Sequence, residues 1–274
     1  MIGAIVGDIV GSRFEFNNYR NKNFELFTGD CKVTDDSIMT LAVAKAVMEA
    51  RRIRESAPDG CDSEYYVAAE RLAVKYMQQI GRKYPNCGYG GRFIHWVFSD
   101  TPQPYNSFGN GAAMRISPVG FAAETEEEVV RLSRAVTAVT HNHPEGIKGA
   151  EAVAMAIYMA RKGCSKKEIR DRIVKDYYAL DFTIDEIRST YEFNETCQNT
   201  VPQAIEAFLE AESFEDAIRT AVSVGGDSDT IAVIAGSIAE AYYGVPEDIK
   251  NRALTYLDVD LRNILEEWYS FSYN

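Results

Sequence analysis

The sequence lacks both an excess of positive charge and any long apolar run. Its 29 basic and 41 acidic residues give a net charge of −12, which disfavours non-specific binding to nucleic acid or to an anionic membrane. No window approaches the roughly 18 apolar residues that a membrane span needs. Residues 1–12 contain no basic leader and Asp8 interrupts their apolar run, so they do not resemble a signal peptide. We expect a soluble, cytoplasmic protein without nucleic-acid or membrane partners.

Paired cysteines and clear strand patterns are also missing. The chain has five cysteines, and no two of them form a C-x-x-C pair. An odd count with this spacing argues against a disulfide framework and a zinc ribbon, and it suits a reducing compartment. No period-2 alternation stands out, although residues 23–27 could form a short extended piece. No repeat, low-complexity tract or Gly/Ser linker occurs, so nothing in the sequence supports a second domain.

Helical periodicity dominates what is present. Apolar residues recur at helical spacing in residues 38–54, 64–80, 126–139, 150–160, 166–178, 202–209, 214–222 and 231–243. Thr125, Ser165 and Ser213 are typical N-caps, because an acidic residue follows each of them at the N3 position. The breaks between helices, at residues 7–34, 86–115, 141–149 and 225–230, hold most of the glycines. The sequence therefore predicts a single α-helical domain over residues 1–274, and our default expectation is a monomer.

Two acidic motifs stand at expected helix starts. Residues 33–39 read VTDDSIM and residues 225–230 read GGDSDT. Capping explains either motif by itself. Asp and Thr at a helix start accept backbone N–H bonds and interact favourably with the helix dipole, and each stabilises the helix by about 1 kcal/mol. If the motifs meet, however, one cleft receives six oxygen-bearing side chains, which are Thr34, Asp35, Asp36, Asp227, Asp229 and Thr230.

Four carboxylates in one cleft repel one another unless a cation is present. Oxygen ligands suit hard ions such as Mg²⁺ or Mn²⁺ rather than zinc. Four carboxylates exceed what one Mg²⁺ usually takes from a protein, because the ion keeps several waters. Two ions that share a bridging carboxylate are therefore the more natural arrangement. Residues 7–15, GDIVGSRFE, add Asp8 and Glu15, although a surface position is the simpler expectation for Glu15.

A glycine-rich turn precedes a run of small residues at 107–115, which read SFGNGAAMR. Gly109 and Gly111 around Asn110 can present successive backbone N–H groups to an anion, although an ordinary tight turn fits equally well. No Gly-Lys-Ser/Thr follows, so the segment is not a Walker A motif, and no strand precedes it as in a dinucleotide fingerprint. Phe108 beside the turn is a candidate for stacking on a ligand.

A His-x-His pair lies in THNHPEG, residues 140–146. His141 and His143 could bind a transition metal, but the sequence offers no clear third soft ligand. A polar turn after a helix is the stronger interpretation of this pair.

Several of these segments, taken in chain order, resemble the ADP-ribosylglycohydrolase family, which includes the dinitrogenase reductase-activating glycohydrolases and the eukaryotic ADP-ribosyl hydrolases. The segments are GDIVGSRFE, VTDDSIM, GNGAAMR, THNHPEG, TVPQAI and GGDSDTIAVIAGSIAEAYYG, and the resemblance runs from about residue 1 to residue 246. The T-D-D and G-G-D-x-D-T motifs are the most specific. The resemblance implies an all-α fold, in the form of a compact orthogonal multi-helix domain with a dimetal cleft.

The resemblance also implies roles for individual residues. The metal ligands would be Thr34, Asp35, Asp36, Asp227, Asp229 and Thr230. Glu15 would contact a metal or act in catalysis, and Asp36 and Asp227 are the other carboxylates that we expect to be catalytic. The substrate would be bound by Ser107, Phe108, Gly109, Asn110, Gly111, Met114 and His141, and the GYGG stretch at 88–91 resembles a further cleft loop.

The activity implied is hydrolysis of the bond at C1″ of ADP-ribose, in an ADP-ribosylated protein side chain or a small conjugate, with two Mg²⁺ or Mn²⁺ ions. The motifs do not specify the leaving group, the physiological target or the general base. An isoprenoid-synthase-like magnesium enzyme is one alternative, but Met39 occupies the third acidic position of its DDxxD motif. A non-catalytic ADP-ribose-binding relative would have lost the acids. A metallohydrolase acting on phosphate esters would release inorganic phosphate.

Overall fold

The computed structural model describes residues 1–56 and 62–272, and these form fifteen α-helices and no β-strand. In chain order the helices are α1 Ile2–Gly11, α2 Asp35–Ser56, α3 Asp62–Gly81, α4 Gly91–Phe98, α5 Gly111–Met114, α6 Ser117–Ala122, α7 Glu126–Thr137, α8 Pro144–Arg161, α9 Lys166–Asp176, α10 Ile184–Ile187, α11 Cys197–Glu210, α12 Phe214–Val222, α13 Ser228–Tyr243, α14 Glu247–Leu254 and α15 Val259–Ser272. The all-α prediction is confirmed.

The eight helices predicted from periodicity are present, with some ends shifted. α8 and α11 begin earlier than predicted, at Pro144 and Cys197. The three predicted N-caps are confirmed, because the side chains of Thr125, Ser165 and Ser213 each accept a hydrogen bond from the backbone N–H at N3. These bonds satisfy amide groups that have no partner inside the helix.

Periodicity missed helices at both ends of the described chain and inside the expected breaks. α1 occupies part of the expected break at residues 7–34, and all ten of its residues are buried. A helix buried on every side has no polar face, so its sequence shows no amphipathic period. Residues 23–27 form bends rather than a strand. Arginine side chains, not a partner strand, bind the backbone carbonyls of Phe24 and Glu25.

A line of glycines brings α1 against α13. Gly3, Gly7 and Gly11 recur every four residues and lie on one face of α1. A Cβ atom on Gly7 would lie 2.2 Å from the carbonyl oxygen of Ala232, and one on Gly11 would lie 2.4 Å from the Cα of Asp229. Only glycine allows the two backbones to approach this closely. The close packing places the segment after α1 beside the first turn of α13.

The other helices surround this central pair. α13 also packs on α8, α11 and α12, while α2 packs on α3 and α15. In the described part of the chain, four cysteines are present as free thiols, which are Cys31, Cys87, Cys164 and Cys197. Cys61 lies outside the described residues. None of the helices described is both long and apolar enough to cross a membrane.

Candidate functional site

A cleft of about 290 Å³ opens where the N-termini of α2 and α13 meet the glycine turn and the loop before α8. Twelve of the residues predicted for the site line it, which are Glu15, Asp35, Asp36, Ser107, Gly109, Asn110, Gly111, Met114, His141, Asp227, Asp229 and Thr230. Thr34 is buried behind this lining. Phe108 is 42% exposed, and its ring lies 5.1 Å from that of His143, outside the cleft lining.

The two acidic motifs meet in this cleft. The hydroxyl of Thr230 donates a hydrogen bond to Asp36 Oδ2 at 3.0 Å, although the two residues are 194 positions apart. Carboxylate oxygens of Glu15, Asp227 and Asp229 lie within 4.8 Å of one another. Glu15 therefore belongs to the cluster and is only partly exposed, rather than lying free on the surface.

Asp8 on α1 holds the first turn of α2 in place. Its carboxylate is fully buried and accepts the backbone N–H groups of Thr34 at 3.0 Å and Ser37 at 3.2 Å. Asp8 Oδ1 also accepts the Thr34 hydroxyl at 2.6 Å. The Thr34 proton is directed to Asp8, and the Thr34 oxygen accepts the backbone N–H of Asp36 at 3.3 Å, which leaves one lone pair for another partner. Asp8 thus caps α2 from another helix.

Asp227 occupies the N-cap position of α13 without capping it. Its side chain makes no cap hydrogen bond and instead accepts the amide of Asn110 at 2.6 Å. The same amide nitrogen donates to the Thr200 hydroxyl at 3.2 Å. The turn before Asp227 depends on Gly225 and Gly226, which have φ values of 80° and 68°, a region that favours glycine. Capping alone does not account for this motif.

Burial and, after it, the crowding of negative charge raise the pKa values of the cleft carboxylates. Burial, followed by the charge of Asp227, raises the pKa of Glu15 to about 7. Burial, followed by the charge of Asp8, raises the pKa of Asp35 to about 7. Burial and neighbouring acids also raise the pKa values of Asp36 and Asp229 well above their ordinary range. Each shift reports a charged form that is unfavourable without a nearby cation.

The donor set of the cleft fits a hard divalent cation. The convergent groups are carboxylate and hydroxyl oxygens, the ligands that Mg²⁺ and Mn²⁺ prefer. The cluster of Glu15, Asp227 and Asp229 offers one oxygen from each residue at mutual distances that a single ion could bridge. The acidic cluster can therefore bind a metal, while the number and identity of the ions stay a prediction.

The glycine turn and the GYGG stretch form further parts of the cleft wall, beside the acidic residues. Asn110 N donates to the carbonyl of Glu195 at 2.7 Å, which fixes the turn against the chain before α11. Gly88, with φ of 122°, lies so close to Asp35 that a Cβ atom there would be 2.7 Å from Asp35 Oδ1. Gly90 and Gly91 also line the cleft, so the GYGG stretch lies in the cleft wall.

The two histidines have different environments. The ring of His143 caps α8 by accepting the Glu145 N–H at its Nδ1. His141 is buried and lines the cleft, with its Nδ1 close to the hydroxyl of Thr140 and the guanidinium of Arg115. Burial, followed by the positive charge of Arg115, lowers the pKa of His141 well below its ordinary value. Among the described residues, neither histidine belongs to a group that could hold a metal ion.

This arrangement can be compared with known proteins. The sequence profile of the ADP-ribosylglycohydrolase family matches residues 1–270. The chain belongs to this family. ADP-ribosylglycohydrolases are glycohydrolase-type enzymes, and the chain is therefore such an enzyme.

Individual relatives agree with the family assignment. ADP-ribosylhydrolase ARH3 of Homo sapiens is 26% identical, and the match covers 95% of this chain and 90% of that protein. ADP-ribosylarginine hydrolase Tri1 of Pseudomonas putida is 25% identical, and the match covers 89% of this chain and 70% of that protein. A solved structure described as an ADP-ribosylglycohydrolase-related protein complex has a TM-score of 0.66 at 22% identity over 98% of this chain and 95% of that one. That structure shares the fold.

Sequence reasoning missed several residues of this ADP-ribosylglycohydrolase cleft. Arg115, Tyr105, Arg92, Phe193 and Glu195 all line it. Arg115 ends the SFGNGAAMR segment, which was the only available signal. Arg92 follows the GYGG stretch in the first turn of α4. Tyr105, Phe193 and Glu195 come from the loop regions before α5 and α11, where no motif marks them, and only the packing of those loops brings them to the cleft.

Proposed function

We propose that this ADP-ribosylglycohydrolase is a Mg²⁺-dependent hydrolase that cleaves the bond at C1″ of ADP-ribose, in an ADP-ribosylated protein side chain or a small conjugate. The observation that carries the proposal is the convergence of the two acidic motifs beside the glycine turn in one cleft. The family and the names of the relatives support ADP-ribose as the common part of the substrate.

The acidic wall would hold the metal ions. Asp35, Asp36, Asp227, Asp229, Thr230 and the buried Thr34 are the proposed ligands. When bound, two Mg²⁺ or Mn²⁺ ions would supply Lewis-acid chemistry, orienting the ribose hydroxyls and making a nearby water more acidic.

The part of the wall that the glycine turn forms would hold the diphosphate. Gly109 and Gly111 have no side chains, and Asn110 is anchored to Asp227 and Thr200. This anchoring fixes the turn relative to the acidic wall, so a diphosphate bound at the turn would place C1″ beside the carboxylates. Such positioning lowers the entropic part of the reaction barrier, because binding already holds the reacting atoms in the right orientation. Ser107, Met114 and His141 line the same wall, and Phe108 stays a candidate for contact at the entrance.

Glu15 is the proposed proton acceptor. Cleavage at C1″ gives the ribose oxocarbenium character, and the attacking water must lose a proton. Glu15 lies within 4.8 Å of the Asp227 and Asp229 carboxylates but is only partly buried, so it can exchange that proton with solvent. Asp36 and Asp227 are the other proposed catalytic carboxylates.

The working form of the protein is part of the same proposal. We place it in the cytoplasm as a monomeric single domain over residues 1–274. The free thiols of the four described cysteines are compatible with a reducing compartment.

The test compares two cleft variants with a matched surface variant. Asp227→Asn and Asp36→Asn each remove a negative charge from the cleft, while Asp181→Asn makes the same change at an exposed position. Each protein is incubated with ADP-ribosylated arginine, ADP-ribosylated serine and O-acetyl-ADP-ribose, with and without Mg²⁺, and free ADP-ribose is measured. Circular dichroism checks the helical fold, and calorimetry measures Mg²⁺ binding.

We expect both cleft variants to lose turnover by more than about 100-fold and to bind Mg²⁺ weakly, with the helical fold intact. Asp181→Asn should match the unmodified protein. Full turnover by either cleft variant with Mg²⁺ present would contradict the proposal. Release of inorganic phosphate would favour the phosphate-ester alternative. ADP-ribose binding without turnover of any conjugate would favour a binding-only role.

A further inference from the structure

Arg115 is a buried cation without a carboxylate partner in the described part of the chain. It is 1% exposed, and its guanidinium carbon lies 5.2 Å from the centre of the Phe93 ring. Burial lowers its pKa to about 10, so it remains charged near neutral pH. A buried charge without an ion-pair partner is costly. The fold keeps this cation in the cleft wall, where its position suggests a role other than stability.

The hydrogen bonds of Arg115 explain what it does there. Its Nη2 donates to the Thr140 hydroxyl at 2.6 Å and lies 3.2 Å from His141 Nδ1. The Thr140 hydroxyl is itself 2.7 Å from His141 Nδ1. The guanidinium therefore contacts both Thr140 and His141. It contacts the imidazole at Nδ1, the ring nitrogen that faces away from the glycine turn.

These contacts select one tautomer of His141. The contact with Thr140 alone fits either tautomer, since a hydroxyl both donates and accepts. Arginine has no acceptor, so a proton on Nδ1 would face the guanidinium N–H donor. With Nδ1 unprotonated, it accepts from Arg115, and the Thr140 hydroxyl can donate to it at 2.7 Å rather than to the Thr137 carbonyl at 3.4 Å. The neutral ring must then carry its proton on Nε2.

The Nε2 atom of His141 faces the glycine turn. Ideal Cβ atoms on Gly109 and Gly111 would lie 3.6 and 3.4 Å from it. No residue in the described part of the chain forms a hydrogen bond with this nitrogen, although His141 is only 5% exposed. A nearly buried N–H without a partner therefore points toward the part of the cleft between His141 and the turn.

We propose that Arg115 is a positioning residue, which fixes His141 as the neutral Nε2–H tautomer and so makes it a permanent hydrogen-bond donor to a ligand oxygen at the glycine turn. This inference rests on the proposed function for the identity of that ligand, the diphosphate of ADP-ribose. The opposite tautomer would present a lone pair to a phosphate oxygen and repel it. Arg115 acts through His141.

The tautomer can be read directly in the free protein. The chain has three histidines, so long-range ¹H–¹⁵N correlation of the ¹⁵N-labelled protein resolves each ring. We expect the His141 spectrum to show a pyridine-type Nδ1 and a pyrrole-type Nε2. His141→Gln identifies the signals, and the exposed His95 provides a reference for a ring in solvent. A pyrrole-type Nδ1 in the unmodified protein would overturn the proposal.

Variants test whether Arg115 is the cause. Arg115→Met removes the donor, and Thr140→Val removes the hydroxyl but leaves the cation. Arg92→Met is the matched control, because Arg92 also lines the cleft but is exposed and has no hydrogen bond to His141. We expect His141 to become a mixture of tautomers in Arg115→Met. The ring should keep its Nε2–H form in Thr140→Val, where Arg115 still faces Nδ1, and in Arg92→Met.

Binding of ADP-ribose is measured by calorimetry on the same proteins. Loss of a hydrogen bond to a charged oxygen should raise the Kd of Arg115→Met by about 10- to 100-fold. If Arg115→Met folds and leaves the His141 ring in its Nε2–H form, Arg115 has no positioning role. If Arg115→Met does not fold, a His141 ring that keeps its Nε2–H form in Thr140→Val supports the proposal. A mixture of tautomers in Thr140→Val overturns it, because Thr140 rather than Arg115 would then select the tautomer. If ADP-ribose fails to bind the unmodified protein, the proposed function fails while the tautomer is still decided by the spectrum.

Discussion

Replacing Gly7 by alanine should separate α1 from α13 and disable the cleft. A Cβ atom at Gly7 would lie 2.2 Å from the Ala232 carbonyl oxygen and 2.5 Å from the Val233 nitrogen, whereas ordinary contact begins at 3.4 Å. Both neighbouring atoms belong to the backbone of α13, so no side chain can rotate away. α1 must therefore retreat by about 1.2 Å, which is the difference between the shorter distance and ordinary contact.

Two free-energy effects oppose each other in this variant. Alanine improves helix propensity by up to about 1 kcal/mol over glycine. Overpacking of a close interface costs about 1–3 kcal/mol, and more where the neighbours cannot move. The contact here is with backbone, so the overpacking cost should be at the upper end of that range. We expect the free energy of unfolding to fall by about 2 kcal/mol.

The activity should fall more steeply than the stability. α1 carries Asp8, which holds the Thr34 turn, and it leads into Glu15. A displacement of about 1 Å can reduce a rate about 100-fold when it misplaces groups at the reacting centre. We therefore expect Gly7→Ala to lose about 100-fold in turnover at saturating Mg²⁺, under conditions where the protein is still folded.

The assay combines urea denaturation with ADP-ribose release. Gly29→Ala is the matched control, because a Cβ atom at Gly29 meets nothing within 4 Å and its φ is not in the left-handed region. That variant should keep its activity and its stability within about 0.5 kcal/mol. If Gly7→Ala is as stable as the unmodified protein and fully active, the glycine packing does not position the site.

Two further predictions concern the cleft walls. Gly88→Ala should weaken Mg²⁺ binding, measured by calorimetry, about tenfold or more, because the new Cβ would lie 2.7 Å from Asp35 Oδ1 at a φ of 122°. Gly90→Ala is the control, since a Cβ atom there meets nothing within 4 Å. Equal Mg²⁺ affinities in the two variants would contradict the prediction. The lowered pKa of His141 means that unfolding exposes a ring which binds a proton below pH 6.5, so stability falls as the pH drops through that value, by at most about 1.4 kcal/mol per pH unit. His141→Gln should therefore unfold with a shallower pH dependence between pH 6.5 and 5, in urea titrations at matched ionic strength; parallel curves would show that His141 is not buried neutral.

The sequence by itself determined the helical class, the family and most of the cleft residues. Apolar spacing in segments such as 38–54 and 214–222 follows from the 3.6-residue period of a helix packed on one face. The T-D-D and G-G-D-x-D-T motifs could be recognised because they place unusual acids at expected helix starts. Local patterns of this kind require no knowledge of what each helix touches.

Tertiary structure decided which of these local features work together. α1 escaped prediction because a helix that is buried on all sides has no amphipathic period. Its glycines nevertheless position α13, and its Asp8 positions the start of α2. Asp227 has the sequence of a cap, but its carboxylate accepts from Asn110 instead. Arg115 ended a motif without a role until its contacts with His141 were visible. Such pairings join residues far apart in the chain, and only the packing of helices specifies them.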